Sequence, residues 1–68
     1  PAARVDLKAD RAAGVLRVRS AWLEPGSKSE PTARMLAHEL VAMAGWLGLG
    51  SVHVEAVGTL SSALAKCL

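Results

Sequence analysis

Two segments near the start of the chain alternate polar and apolar residues with a period of two, which is the pattern of half-buried β-strands. The first segment covers Arg4–Lys8 and the second covers Val15–Glu24. Ala9–Gly14 interrupts the alternation, and Gly14 suits a turn position with positive φ. Two such segments joined by a short connection that contains glycine predict an antiparallel hairpin.

A helical period follows the loop Pro25–Ser29 and extends from Pro31 to about Leu47. Ser29 or Glu30 would cap the N-terminus of this helix, and Gly48 would stop it at the other end. The apolar stripe comprises Leu36, Leu40, Met43 and Leu47, with Ala33 and Ala44 beside it. The spacing of these residues predicts one helix with a single buried face.

A third alternating segment, Ser51–Ala56, predicts a third strand, and Gly58 with Thr59 predicts a turn whose threonine caps a short last helix. The apolar stripe of that helix is Leu60, Leu64 and Cys67. The element order is therefore β-β-α-β-α. Because a strand–helix–strand crossover joins parallel strands, the hairpin and the third strand predict a small three-stranded mixed sheet.

With both helices on one face of the sheet, the chain forms a two-layer α+β sandwich. The covered face would carry Val5, Leu7, Leu16, Val18, Val52 and Val54. The 68 residues suffice for one small domain, spanning 1–68. Because Phe and Tyr are absent, the core can bury little apolar surface. We therefore expect the domain to be stabilised by contacts with the rest of a parent chain or with a second copy.

Composition restricts the class of protein. A hydrophobic fraction of 51% indicates a folded domain rather than a disordered chain. A single cysteine excludes an internal disulfide and favours a reducing compartment, so we expect a cytoplasmic protein. No apolar run approaches the roughly 20 residues of a membrane-spanning helix, and no membrane partner is expected. The chain starts at Pro1 without a signal-peptide pattern, which indicates a fragment of something longer.

The charge is concentrated in the first part of the chain. Residues 1–28 hold six of the eight basic residues and three acids, a net charge of +3. The cations assigned to this region are Arg4, Lys8, Arg11, Arg17, Arg19 and Lys28. Two interpretations stay open: a basic sheet face that contacts phosphates, or a solvated face whose arginines pair across strands with Asp6 and Glu55.

Patterns that would indicate an enzyme or a metal site are incomplete. His38 and Glu39 begin a zinc-helix motif whose second histidine would fall at Ala42, so the motif is absent. The glycines from Gly45 to Gly50 follow a helix instead of preceding one, which favours helix termination over phosphate binding. We interpret Cys67 as a small buried hydrophobe. The sequence therefore predicts no catalytic residue, no cofactor and no metal.

The two tryptophans are the largest apolar side chains, and the alternation of the second strand places Trp22 on the face of Leu16 and Val18. We therefore expect Trp22 in the core. Trp46 lies beside Met35 on the flank of the helical stripe. It belongs either to the core or to a protein interface formed by Met35 and Trp46.

The run from Asp6 to Val18 has the form D-x-K-x-D-R-x-x-G-x-L-x-V, and Trp22–Gly26 and Trp46–Leu49 follow it. This stretch resembles the C-terminal part of the winged-helix DNA glycosylases of crosslink repair (the YcaQ-like family). The resemblance covers nearly the whole chain in order. It implies a bacterial protein several times longer, whose tandem winged helices bind duplex DNA and hydrolyse the N-glycosidic bond of bulky or crosslinked alkylated bases.

The same resemblance implies that this chain contains no catalytic residue. The family places a Gln-x-Asp or Gln-x-Gln pair in its winged helices, and this sequence contains no glutamine. The family also has a strand leading into the motif, of which only Ala2–Arg4 remains here, so we expect an exposed strand edge and a homodimer.

Two hypotheses about function follow. The first is a non-catalytic accessory module that braces the winged helices and touches the DNA backbone. Its candidate contacts are Arg4, Lys8, Arg11, Arg17 and Arg19. The second is a structural or oligomerisation module that binds protein through its strand edge and through the helix face of Trp46, without nucleic acid.

Overall fold

The computed structural model describes residues 2–68. In chain order it contains strands β1 (Ala3–Asp10) and β2 (Val15–Leu23), helix α1 (Ser29–Trp46), strand β3 (Ser51–Val54) and helix α2 (Ser61–Cys67). β2 is the central strand and pairs antiparallel with β1 and parallel with β3. Both helices pack on β2 and β3. The predicted α+β fold, with its β-β-α-β-α order and three-stranded mixed sheet, is confirmed.

The core lies between the covered face of the sheet and the two helices. Its fully or nearly fully buried members are Leu16, Val18, Ala21, Ala33, Ala37, Leu40, Ala44, Leu49, Leu60 and Leu64. Small alanines on the sheet-facing side of α1 let the helix approach the strands closely. The predicted stripe is partly wrong because this side centres on the alanines and Leu40, which leaves Leu36 and Leu47 half-buried and Met43 exposed.

A β-bulge in β2 changes which residues face the helices. Val5 lies opposite Ala21 and Leu7 lies opposite Val18, so β2 has one more residue than β1 between these pairs, Arg19. One extra residue reverses the alternation beyond it. Trp22 is therefore on the open face, with 42% of its surface exposed, and the prediction that it belongs to the core is wrong.

The ends of the helices differ in how well the sequence anticipates them. Gly48 has a φ of 74°, and Leu49 N donates to Ala44 O at 2.8 Å, so α1 ends in a Schellman motif as its glycine predicts. At the N-terminus Lys28 occupies the cap, without a side-chain hydrogen bond. The proposed cap at Ser29 or Glu30 is therefore wrong, because the helix already includes both residues.

The connection from β3 to α2 folds back on the central strand. Ala21 donates to Val57 O and accepts from Leu60 N, both at 3.0 Å. Thr59 does not cap α2; its Oγ1 accepts from Leu23 N at 3.0 Å. β3 therefore ends at Val54, two residues earlier than predicted, because the next residues bond to β2 as a loop.

Candidate nucleic-acid interface on the open sheet face

The face of the sheet opposite the helices carries a row of three nitrogen-bearing side chains. Lys8 of β1 lies opposite Arg17 of β2, and Arg17 lies opposite His53 of β3. Neighbouring strands are about 4.8 Å apart, so the row crosses the sheet within about 10 Å. Two of the predicted cations thus meet on this face, and His53 joins them because the parallel register of β3 sets it there.

Two of the arginines on this side form ion pairs with carboxylates. Arg4 Nε lies 2.9 Å from Glu24 Oε1, and Arg17 Nε lies 3.0 Å from Asp10 Oδ2. The hydrogen bond from Arg17, with a second from Ala13 N–H, holds the pKa of the Asp10 carboxyl below its ordinary value. The Arg4–Glu24 pair is largely exposed and contributes little to stability, whereas the Arg17–Asp10 pair is part-buried.

Lys8 and Arg19 are the cations most accessible to an anion. Both are exposed, and neither forms an ion pair with any of residues 2–68. Arg19 occupies the bulge, where β2 has no residue of β1 directly opposite. A phosphate that approaches this face of the single chain would therefore meet Lys8 and Arg19 without displacing a carboxylate of the same chain.

Arg11 stands apart from this group. It lies in the turn between β1 and β2, and its Nη1 donates to Leu47 O at 3.1 Å. The last carbonyls of a helix lack partners within the helix and carry its negative dipole end, so a guanidinium there is stabilising. The structure thus gives Arg11 a role in joining the hairpin to α1.

Acidic side chains limit the positive charge of the open face. Asp6 alternates with Arg4 and Lys8 along β1, and Asp10 follows at the end of the strand. Trp22 lies opposite Arg4 and adds an aromatic ring to this surface. Regular alternation along β2 does not place Trp22 on this face, although Ser20 at an apolar position and Leu23 at a polar one mark the change of phase.

The second candidate surface is a helix flank on α1 formed by Met35, Met43 and Trp46. Trp46 is 91% exposed and Met35 is 56% exposed. The interpretation that Trp46 belongs to the core is therefore wrong. A cleft of about 260 Å³ separates Met35 and Leu36 from Ala3 at the start of β1. At Met35 the flank therefore borders the β1 side of the sheet, and all three of its residues are exposed.

A groove of about 530 Å³ lies between the start of α1 and α2. Its charged groups include Lys66 and the pair of Arg34 Nη2 and Glu30 Oε1, which are 3.0 Å apart. Cys67 also lines it and is exposed, so its assignment as a buried hydrophobe is wrong because it lies at the end of a helix of only seven residues.

None of these surfaces offers a metal site, because no group of three His, Cys, Asp or Glu side chains among residues 2–68 could hold an ion. Within the same residues, no helix has the length and apolar character needed to cross a membrane.

Neither a protein-family profile, nor a curated protein, nor a solved structure matches the chain. The resemblance of residues 6–18 to the winged-helix DNA glycosylases therefore stays a prediction. The geometry of the two surfaces carries the functional argument.

Proposed function

We propose that the chain is a non-catalytic accessory module of a bacterial, cytoplasmic winged-helix DNA glycosylase-like protein, acting in the repair of alkylated or crosslinked DNA. In this proposal it braces the DNA-binding domains of the parent chain and contacts the backbone of duplex DNA through its open sheet face. The observation that carries the DNA contact is the row of Lys8, Arg17 and His53, with Arg19 nearby, on the side that the helices leave free.

The chemistry of this face suits phosphates better than bases. The open face presents its cations side by side on neighbouring strands, and a cation that meets a phosphate releases condensed counterions, which gives affinity without sequence readout. Because carboxylates are interspersed, we expect weak binding that depends strongly on salt. Contact with about three phosphates predicts a fall in affinity of roughly fortyfold between about 50 and 200 mM salt.

The two tryptophans allow each surface to be followed separately. Trp46→Phe leaves Trp22, on the open face, as the only indole. Titration of this variant with a short duplex at low salt should change the fluorescence of Trp22. Lys8→Glu and Arg19→Glu should each weaken binding several-fold and lower the salt slope by about one.

Lys66→Glu makes the same change of charge on α2, away from the sheet, and serves as the matched control. It should weaken binding only slightly, through the net charge. The DNA contact is refuted if Lys66→Glu weakens binding as much as Lys8→Glu, or if a duplex leaves Trp22 unchanged at the lowest salt.

A second candidate function is favoured by the helix flank. A structural or oligomerisation module would bury Met35 and Trp46 against protein and would need no nucleic acid. Titration with a duplex at low salt discriminates the two functions, because only the first predicts a salt-dependent change in the fluorescence of Trp22.

A further inference from the structure

At the outer edge of β1, the backbone N–H and C=O groups of alternate residues have no partner among residues 2–68. Antiparallel neighbours alternate between pairs that exchange hydrogen bonds and pairs that do not. Ala21, opposite Val5, gives both its N–H and its C=O to the loop before α2, and Val18, opposite Leu7, accepts from Glu55 N at 2.9 Å. The backbones of Val5 and Leu7 therefore point away from β2, toward the open edge.

Charge alternates along the same strand. On the open face, positive and negative side chains alternate along β1 in the order Arg4, Asp6, Lys8 and Asp10. Arg4 and Asp10 already hold carboxylate and guanidinium partners, whereas Asp6 and Lys8 are exposed and form no ion pair with residues 2–68. Such a strand is self-complementary, because opposite charges face each other when a copy runs antiparallel in the correct register.

The free backbone groups and the charges together select the register. Only odd-numbered residues have outward-facing groups, so they must pair with odd-numbered residues of the copy. A two-fold axis at Asp6 sets Asp6 against the partner's Asp6. An axis at Leu7 sets Asp6 against the partner's Lys8 on both sides and Arg4 against the partner's Asp10. Axes at Val5 or Ala9 would use Arg4 or Asp10, which already form ion pairs with Glu24 and Arg17, so only the axis at Leu7 joins the two charges that are unpaired within residues 2–68.

We propose that two copies of this chain associate through antiparallel pairing of their β1 strands, with the two-fold axis at Leu7, to form one six-stranded sheet. Val5, Leu7 and Ala9 exchange backbone hydrogen bonds with the partner's Ala9, Leu7 and Val5. The contact is isologous, as most dimer contacts are. The proposal does not depend on DNA binding or on the parent chain.

The helix flank supports the same partner. The axis is perpendicular to the sheet, so the helices of both copies lie on one side of it, and the Met35 end of each flank borders the joined β1 strands. The two α1 helices run in opposite directions, which sets Met35 toward the partner's Trp46. The dimer thereby shields more of Val5 and Leu7, which are only half-buried against the core of the single chain.

Sedimentation and charge-reversal variants test this pairing. The chain should sediment at twice its mass of 7.1 kDa at high concentration. Asp6→Lys and Lys8→Asp should each raise the dissociation constant at least about tenfold, because like charges then face each other at both central pairs. An equimolar mixture of the two variants should associate again, and so should the chain that carries both changes.

The double variant also tests the register. An axis at Val5 would set Arg4 against the partner's position 6, so Asp6→Lys would stay repulsive in the double variant, whereas the axis at Leu7 restores attraction. Lys66→Asp, on α2, is the matched control and should leave the dissociation constant within about twofold. Circular dichroism confirms that each variant is folded.

Hydrogen exchange locates the contact on the backbone. On going from dilute to concentrated protein, exchange of the Val5, Leu7 and Ala9 amides should slow, while that of Arg4 and Lys8, whose N–H groups face β2, should not change. The proposal is overturned by a monomer at millimolar concentration, by a dimer that Asp6→Lys leaves intact, or by an even-numbered pattern of protection.

Discussion

On one side of the central strand β2, the chain pairs the strand with β3 and with the loop that follows β3, and we call this the closed side. On the β1 side, the sheet ends in an open edge. The loop of residues 55–60 returns to β2 and bonds Ala21 beyond the end of β3, and both helices cover this half of the sheet. Within residues 2–68, β1 pairs with β2 alone among the strands, and the helix flank, which borders β1 at Met35, is exposed. The difference separates a side built for internal stability from a side available to partners.

Gly58→Ala should break the closed side and have the largest effect. Gly58 has a φ of 102°, and a Cβ there would overlap the carbonyl of Ala21. Backbone cannot move aside as a flexible side chain can, so we expect a loss of at least about 3 kcal/mol in the free energy of unfolding. Thermal or urea unfolding measures it.

Gly26→Ala is the matched control. Its φ of 86° is similarly positive, but no atom lies within 4 Å of the added Cβ. It should cost only about 1 kcal/mol, the ordinary penalty of a left-handed residue. Equal losses in the two variants would show that conformation alone, and not the close approach to Ala21, constrains Gly58.

Val18→Ala and Val5→Ala compare the two sides with one chemical change. Val18 is fully buried under the helices and Val5 is half-buried on the edge strand. We expect losses of about 2–3 kcal/mol for Val18→Ala and below about 1 kcal/mol for Val5→Ala, measured at low micromolar protein, where the monomer dominates. Equal losses would mean that the β1 side is as well packed as the closed side.

The element order was predictable because each element of this chain has a distinct period. Alternation indicates the three strands, and the four- and three-residue spacing around Leu40 indicates α1. Glycine marks the hairpin turn and the end of α1, and Gly14 has the expected positive φ, 69°. These features are local, so the sequence contains all the information they need.

The placement of large side chains was not predictable by the same means. Trp22 changes face because one bulged residue shifts the alternation, and a bulge depends on pairing with another strand. In α1, alanines face the sheet because close packing favours small residues there, whereas a stripe chosen by size centres on leucine and methionine. Arg17 is half-buried while the other candidate cations are exposed, and the ion pairs of Arg4 with Glu24 and of Arg17 with Asp10 depend on register.

Trp46→Ser should leave the stability of the monomer within about 0.5 kcal/mol, because the indole is almost wholly exposed. Trp22→Ser, on the open face, should cost more, about 1 kcal/mol, since more than half of that side chain is covered. Urea unfolding of dilute protein compares the two. A larger loss for Trp46→Ser would mean that the helix flank stabilises the single chain and is not free for a partner.

The smallest effect concerns Asp10 and Arg17, an ion pair that ties β1 to β2 on the open side. Because the hydrogen bond from Arg17 lowers the pKa of Asp10, the carboxylate stabilises the fold above its unfolded pKa, and this contribution is lost as the pH falls through the folded pKa. The loss therefore lies in the acid range, below about pH 4.

Arg17→Gln should raise the pKa of Asp10 toward its ordinary value without fully restoring it, since Ala13 N–H still donates to the carboxyl. Carbon-detected NMR titration of the Asp10 carboxyl follows both changes, and Asp10→Asn should flatten the acid part of the stability curve. A pKa for Asp10 that Arg17→Gln does not move would show that the guanidinium is solvated, and that the open side is held by the backbone of β1 alone.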